Sequence, residues 1–205
     1  MDAVKLQRRA ERIATRRFLA EGPNLVEAAA RCGLVDDVFV TEAAGIRYQS
    51  LLADLPVCPV TDRAMKALSE TVTPAGLVAV CRLPGTGLDD ILAGNPALII
   101  VAVDISDPGN AGTLIRLADA MGAAAVVFAG DAVDPYNGKC VRSSAGSIFA
   151  VPVCSETDTV ALVGRLRAAG LQILATTLTG ELSLDDAQPI LAARTAWLFG
   201  PESRG

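Results

Sequence analysis

The sequence predicts an α/β protein in two parts, and three observations carry that expectation. Short apolar runs alternate with helix-forming stretches along the second half, at 97–103, 124–128, 148–151, 171–175 and 195–198. Runs of this kind suit a parallel sheet covered on both faces. Residues 83–95 read LPGTGLDDILAGN, a Gly-, Pro- and Asp-rich break that places a linker at 86–95 between a domain over 1–85 and another over 96–205. The composition, 51% hydrophobic and 20% charged in 205 residues, is ample for buried cores. No apolar run approaches the ~20 residues of a membrane span, so no membrane partner is expected.

The elements follow in order. Residues 1–20 hold six basic side chains against two acidic ones, a charge of +4, which leaves −9 on the other 185 residues of a chain whose total is −5. Arg8, Arg12 and Arg16 recur every fourth residue, a spacing that lines them along one helix face and suits them to phosphates. The same stretch lacks the apolar core of a secretory signal. A strand over 17–21 stops at Gly22-Pro23, a turn signal. Asn24 then caps a helix over 25–31 that Cys32-Gly33 ends. Strands are expected at 38–41, 57–60 and 76–82, with a helix from Thr61-Asp62 through Leu68. Beyond the linker, helices over 111–121, around 135–142 and over 158–169 separate the five strands, and Gly170 stops the last helix.

Two absences narrow the chemistry. The chain has no histidine, which excludes a His-based general base, triad or metal site, and no metal is expected. Its five cysteines are odd in number and scattered, without C-x-x-C spacing. They read as reduced, mostly buried residues of a cytoplasmic protein.

Candidate chemistry gathers in three segments. Residues 103–122 read VDISDPGNAGTLIRLADAMG. Here Pro108 and Gly109 shape a corner, Asn110 caps the following helix, and the helix start offers N–H groups to an anion. Neither G-x-G-x-x-G nor G-x-x-x-x-G-K-[ST] occurs. Leu114, Leu117, Ala118 and Met121 make the apolar stripe of that helix, while Asn110, Thr113 and Arg116, spaced by three, lie toward another side. Residues 141–146 read VRSSAG, where Arg142 suits either a phosphate or its own helix's carbonyl end. Residues 199–205 read FGPESRG after a strand. Gly200 there admits a close ligand, and Glu202 sets a carboxylate at the sheet's carboxyl edge, where open α/β sheets bind ligands.

In this order the three segments resemble the signature of the SpoU (TrmH-like) RNA ribose methyltransferases of the SPOUT superfamily. RFLAEGPNLV at 17–26 and TPAGLVA at 73–79 resemble the L30e-like substrate-binding domain that precedes many of their catalytic domains. The resemblance implies an L30e-like α/β domain that holds RNA, followed by a SPOUT-type α/β-knot methyltransferase domain with a parallel sheet. The implied reaction is transfer of a methyl group from S-adenosylmethionine to a ribose 2′-hydroxyl, in rRNA rather than tRNA. It implies catalytic roles for Asn110, Arg116 and Glu202 and cofactor contacts from Thr176, Thr177, Leu198, Gly200 and Gly205. RNA contacts would come from Arg8, Arg12, Arg16, Arg142 and Ser144. A guanidinium resists deprotonation, with a pKa above about 12, so Arg116 is expected to position a phosphate or the nucleophilic oxygen rather than act as a base.

In that family the chain continues past the second motif into a strand, a Ser-Leu-Asn-rich turn and a last helix. That segment completes the cofactor pocket, forms the trefoil knot and supplies much of a homodimer interface. The 205 residues do not include it, so the methyltransferase domain is expected to be incomplete at its C-terminus, with the knot segment truncated. Two rival readings stand beside the main one. One is a non-catalytic RNA-binding relative; the other is a small-molecule enzyme using the Asp104/Asp107 turn for another nucleotide.

Overall fold

The structure, a computed structural model, describes residues 2–177, 179, 180 and 182–201. Its contacts divide the chain into two units: Met1–Pro84 with Tyr136–Phe149, and Gly85–Pro135 with Ala150–Gly205. The first stretch of chain carries α1 (Arg9–Thr15), β1 (Arg17–Glu21), α2 (Pro23–Arg31), β2 (Val35–Val40), α3 (Glu42–Arg47), α4 (Gln49–Leu52), β3 (Val57–Pro59), α5 (Asp62–Leu68) and β4 (Leu77–Arg82). Then come α6 (Leu88–Ala93), β5 (Leu98–Val103), α7 (Pro108–Ala120), β6 (Ala125–Ala129), α8 (Gly138–Ser143) and β7 (Val153–Glu156). The last elements are α9 (Thr159–Ala168), β8 (Gln172–Ala175), α10 (Gln188–Leu191) and β9 (Thr195–Phe199).

The first unit is built on a mixed sheet in the order β1-β4-β2-β3, with β4 antiparallel to both neighbours and β2 parallel to β3. Strand β4 is apolar along Leu77–Cys81 because it is central and covered on both faces. Its Val78 and Val80 pack with Leu6, Met65 and Leu68 on one side. Side chains alternate along β1, so Leu19 joins that cluster and Phe18 faces the other way. There the Phe18 ring meets Tyr136 at 4.9 Å and Phe149 at 5.8 Å between centroids. The segment Tyr136–Phe149 therefore interrupts the expected 96–205 domain: two aromatic rings from it complete the core around Phe18. Arg17 and Arg82 stand directly opposite each other on β1 and β4, a like-charge pair. A bulge between Val35 and Asp37 turns Asp36 toward them, and its carboxylate takes Arg17 at 2.6 Å and Arg82 at 3.0 Å.

The N-terminus corrects the expected basic helix. A 3-10 turn spans Ala3–Gln7, Arg8 is extended, and α1 ends at Arg16 in the left-handed region with φ 52°. Arg8 and Arg16 thus flank the helix instead of sharing a face with Arg12. In α2 the helix begins at Pro23 with Gly22 as its N-cap, so Asn24 lies inside the first turn. Thr61 does cap α5, accepting from the backbone N–H of Ala64.

The second unit holds a five-stranded, wholly parallel sheet in the order β7-β6-β5-β9-β8. Its core joins Ile99 and Val101 of β5, Val127 of β6, Leu162 and Leu166 of α9, and Ala196 of β9. Leu88 and Ile91 belong to the same core, so the expected linker 86–95 is in large part the helix α6. Two apolar residues three apart suffice to pack one turn, and the adjacent Asp pair and flanking glycines masked them. The strand expected at 148–151 is also corrected. Ser147–Phe149 forms a 3-10 turn, and the strand begins after Pro152 at Val153. On α7 the buried face is Ala111, Gly112, Ile115 and Ala118, while Leu117 and Met121 of the expected stripe are exposed.

Candidate active site

The carboxyl ends of β8, β9 and β5 lie side by side, because these three strands are adjacent and parallel. Thr176 follows β8 and is tied to β9: its backbone N–H donates to the Leu198 carbonyl at 3.0 Å, and its hydroxyl donates to the same oxygen at 3.3 Å. Thr177 is exposed beside it, and Gly200 follows the end of β9. Four of the five expected cofactor residues thus share one sheet edge. Gly205, with Glu202, lies outside the described residues. Thr176, Thr177, Leu198 and Gly200 offer hydroxyls, backbone groups and no charged side chain. That donor set fits an adenosine carrying a cationic sulfonium, which a basic side chain would repel.

The turn after β5 is fixed from two directions. Asp104 sits in the left-handed region with φ 52°, and its Oδ1 accepts the backbone N–H of Asp131 at 2.8 Å. Its own N–H donates to Ala129 at 3.0 Å, and Val133 N–H donates to Ile105 at 2.9 Å, so the loops after β5 and β6 are stitched together. Gly130 is required at this join: its φ is +70°, and a Cβ there would lie 2.3 Å from Asp104 Oδ1.

Three residues further on, Asp107 caps α7, with Oδ1 accepting from Gly109 N–H at 2.7 Å and Asn110 N–H at 3.0 Å. This corrects the expected Asn110 cap, and it also corrects the expected anion site, because an internal carboxylate already holds two of the first-turn donors. The Asp-Pro pair carried the signal, a capping acid followed by proline at the first helical position. Asn110 is half-buried in the first turn of α7. Arg116 is exposed on the same helix, about 9 Å further along its axis. With Asp104 and Asp107 both engaged in the backbone, the rival nucleotide site on this turn loses its carboxylates.

The RNA-contact expectations divide by exposure. Arg8 and Arg16 are exposed. Arg12 is buried and donates to the carbonyls of Leu6 at 2.8 Å and Gln7 at 2.9 Å, so it closes the 3-10 turn instead of facing a phosphate. Ser144 is fully buried, with its hydroxyl donating to Val141 at 2.7 Å. Arg142 reaches Glu70 at 3.3 Å and Glu21 at 3.6 Å. Glu21, with a side chain only 9% exposed, also accepts from the hydroxyls of Ser69 at 2.5 Å and Thr71 at 2.7 Å. The VRSSAG segment is thus anchored in the core of the first unit.

The cysteines supply no nucleophile among the perturbed groups. Burial, with Asp36 nearby, pushes the Cys81 thiol up to about 12, and burial with Glu156 nearby pushes Cys154 up to about 11. Cys32 is the exposed thiol of the five.

Comparison with known proteins adds to this geometry. A model of the SpoU rRNA Methylase family matches residues 97–205, and one of the MRM3-like substrate binding domain matches residues 1–79. The 23S rRNA (guanosine(2553)-2'-O)-methyltransferase RlmP of Bacillus subtilis (strain 168) is 36% identical over 178 residues, which is 86% of this chain and 69% of that protein. A crystal structure described as an RNA 2'-O ribose methyltransferase is similar with a TM-score of 0.84 at 33% identity, over 100% of this chain and 79% of its own. The SpoU methyltransferase AviRb of Streptomyces viridochromogenes, in complex with AdoMet, gives 0.83 at 28% identity, over 100% of this chain and 80% of its own.

Proposed function

The chain belongs to the SpoU rRNA methylase family, and from that premise we propose that it transfers a methyl group from S-adenosylmethionine to a ribose 2′-hydroxyl of ribosomal RNA. The observation that carries this reading is the edge where Thr176, Leu198 and Gly200 meet beside the β5–α7 turn, which leads into the helix that bears Asn110 and Arg116. Thr176, Thr177, Leu198, Gly200 and Gly205 would hold the cofactor, which when bound supplies an electrophilic methyl on a sulfonium. The protein's part is alignment. Arg116 stays protonated and holds a phosphate or the ribose oxygen in line, while Asn110 positions the sugar and Glu202 orients the reacting hydroxyl. The first unit grips the RNA, with Arg8 and Arg16 on phosphates. Arg142 and Ser144 act one step back, fixing the shape of the surface that carries them. The protein is further proposed to work as a homodimer in the cytoplasm.

The test is incubation of the protein with unmodified rRNA and methyl-labelled S-adenosylmethionine, followed by mass spectrometry of the digested RNA. One new 2′-O-methylated nucleotide is expected. Label on a base, or RNA binding with no transfer, would overturn the reading, and the second result would favour a non-catalytic relative.

A further inference from the structure

The arginines of the first unit, together with Lys66, separate into two classes. Arg17, Arg31, Arg82 and Arg142 each sit on a carboxylate, and Arg12 is held by carbonyls. Arg8, Arg9, Arg16, Arg47, Arg63 and Lys66 are exposed and make no ion pair among the described residues. Arg47 and Lys66 line a cleft of about 360 Å³ between α3, α5 and the turn before β4. Its floor is apolar: Ala44 and Met65 are buried. One wall is bare backbone at Gly76, whose φ is +83° and where a Cβ would come within 2.8 Å of both Ala44 and Thr41. Thr41 N–H donates to the Gly76 carbonyl at 2.9 Å, so the wall is fixed. Asp62 adds one carboxylate acceptor to the lining.

Lys66 lies on α5, whose end is tied to the segment that carries two more exposed cations. Gln7 donates from its side chain to the carbonyls of Ala67 at 3.0 Å and Leu68 at 3.3 Å, which ties the end of α5 to the turn leading into Arg8 and Arg9. Resting on the RNA-substrate reading above, we propose that this cleft receives one unpaired nucleotide of the RNA. Its volume suits a nucleotide, its small apolar floor accepts a base face, and its carboxylate accepts from an exocyclic amine or a 2′-hydroxyl. Arg47 and Lys66 hold the flanking phosphates, and the strand leads along α5 toward Arg8 and Arg9. Base-paired RNA cannot enter, because its bases are stacked inward. The site therefore selects a loop or bulge.

The test measures binding of the whole chain to a labelled stem-loop RNA with an open loop, and to a duplex of the same composition, across a salt series. Replacing both cations (R47A with K66A) is expected to weaken stem-loop binding more than tenfold and to lower the log–log salt slope by about two. Ala75→Phe, at an exposed lining position, fills the cleft without changing charge. It is expected to weaken stem-loop binding roughly tenfold while leaving the salt slope and duplex binding in place. Thermal melting of both variants should match the parent. Undiminished stem-loop binding by the two variants, or equal losses on duplex and stem-loop with Ala75→Phe, would overturn the nucleotide cleft. A parent protein that binds neither RNA would instead overturn the RNA-substrate reading on which it rests.

Discussion

The turn that leads into α7 and the segment Tyr136–Phe149 contain similar residues, and the fold uses them in opposite ways. In the turn, the acids face inward: Asp104 secures the neighbouring loop and Asp107 closes its own helix, which leaves Arg116 exposed. In the segment, the arginine faces inward. Arg142 is engaged by Glu21 and Glu70, Tyr136 and Phe149 flank Phe18, and the Ser144 hydroxyl is satisfied by Val141. What separates the exposed arginine from the anchored ones is whether the fold places an acceptor within reach, carboxylates for Arg142 and carbonyls for Arg12. A short motif names the arginine and says nothing of its neighbours across the sheet.

Substitutions can break or sharpen this contrast. Phe18→Ala should have the largest effect, costing about 3–5 kcal/mol by emptying a fully buried ring site, as urea denaturation would measure. A loss under about 1 kcal/mol would mean that the two flanking rings collapse into the gap. Arg116→Ala should lower methyl transfer roughly a hundredfold or more while leaving the unfolding midpoint in place. Arg142→Met should do the reverse. It removes the cation from a carboxylate that is largely buried, at a cost of about 1–2 kcal/mol, and in an E21Q background most of that cost should disappear. If Arg142→Met instead left stability intact and abolished RNA binding, the segment would belong with the exposed turn. Asp107→Ala should cost about 1 kcal/mol through loss of the cap.

A last and smallest effect concerns pH. Cys81 and Cys154 have folded pKa values of about 12 and about 11 against an ordinary 9.0. Both thiols stay neutral in the folded chain, whereas the unfolded chain ionises near 9.0. Their contribution to stability is therefore complete below pH 9 and declines as pH rises toward 11 and 12. Iodoacetamide at neutral pH should label Cys32 and spare Cys81, as mass spectrometry of the peptides would report.

The architecture was largely legible in the residues because strands such as 17–21 and 98–103 are bounded by unambiguous punctuation, Gly22-Pro23 in one case and Asp104 in the other. Where the reading failed, local pattern had no access to the tertiary partner. The run IFAVPV is equally apolar on both sides of Pro152, and only pairing of Val153 with Val126 decides which side is strand. The fourfold spacing of Arg8, Arg12 and Arg16 assumed a continuous helix, which the extended backbone at Arg8 interrupts. On α7, Leu117 and Met121 outrank Ala111 and Gly112 in hydrophobicity, yet the small residues face the sheet, where close backbone approach matters more than side-chain size. The shared sheet edge of Thr176, Leu198 and Gly200 was legible because Thr176 and Gly200 each follow a strand. The cleft of Arg47 and Lys66 was not, since its lining comes from three separated stretches of chain.

The excursion of the chain through Tyr136–Phe149 bears on any attempt to divide this molecule. A gene fragment ending at Pro84 would encode every strand of the mixed sheet yet leave Phe18 without its two ring neighbours and Glu21 without its guanidinium. Such a fragment would bare an aromatic ring on one face of β1 and leave a carboxylate without its cation on the other, and would be prone to self-association. A minimal version of the first unit would need the peptide Tyr136–Phe149 grafted back on.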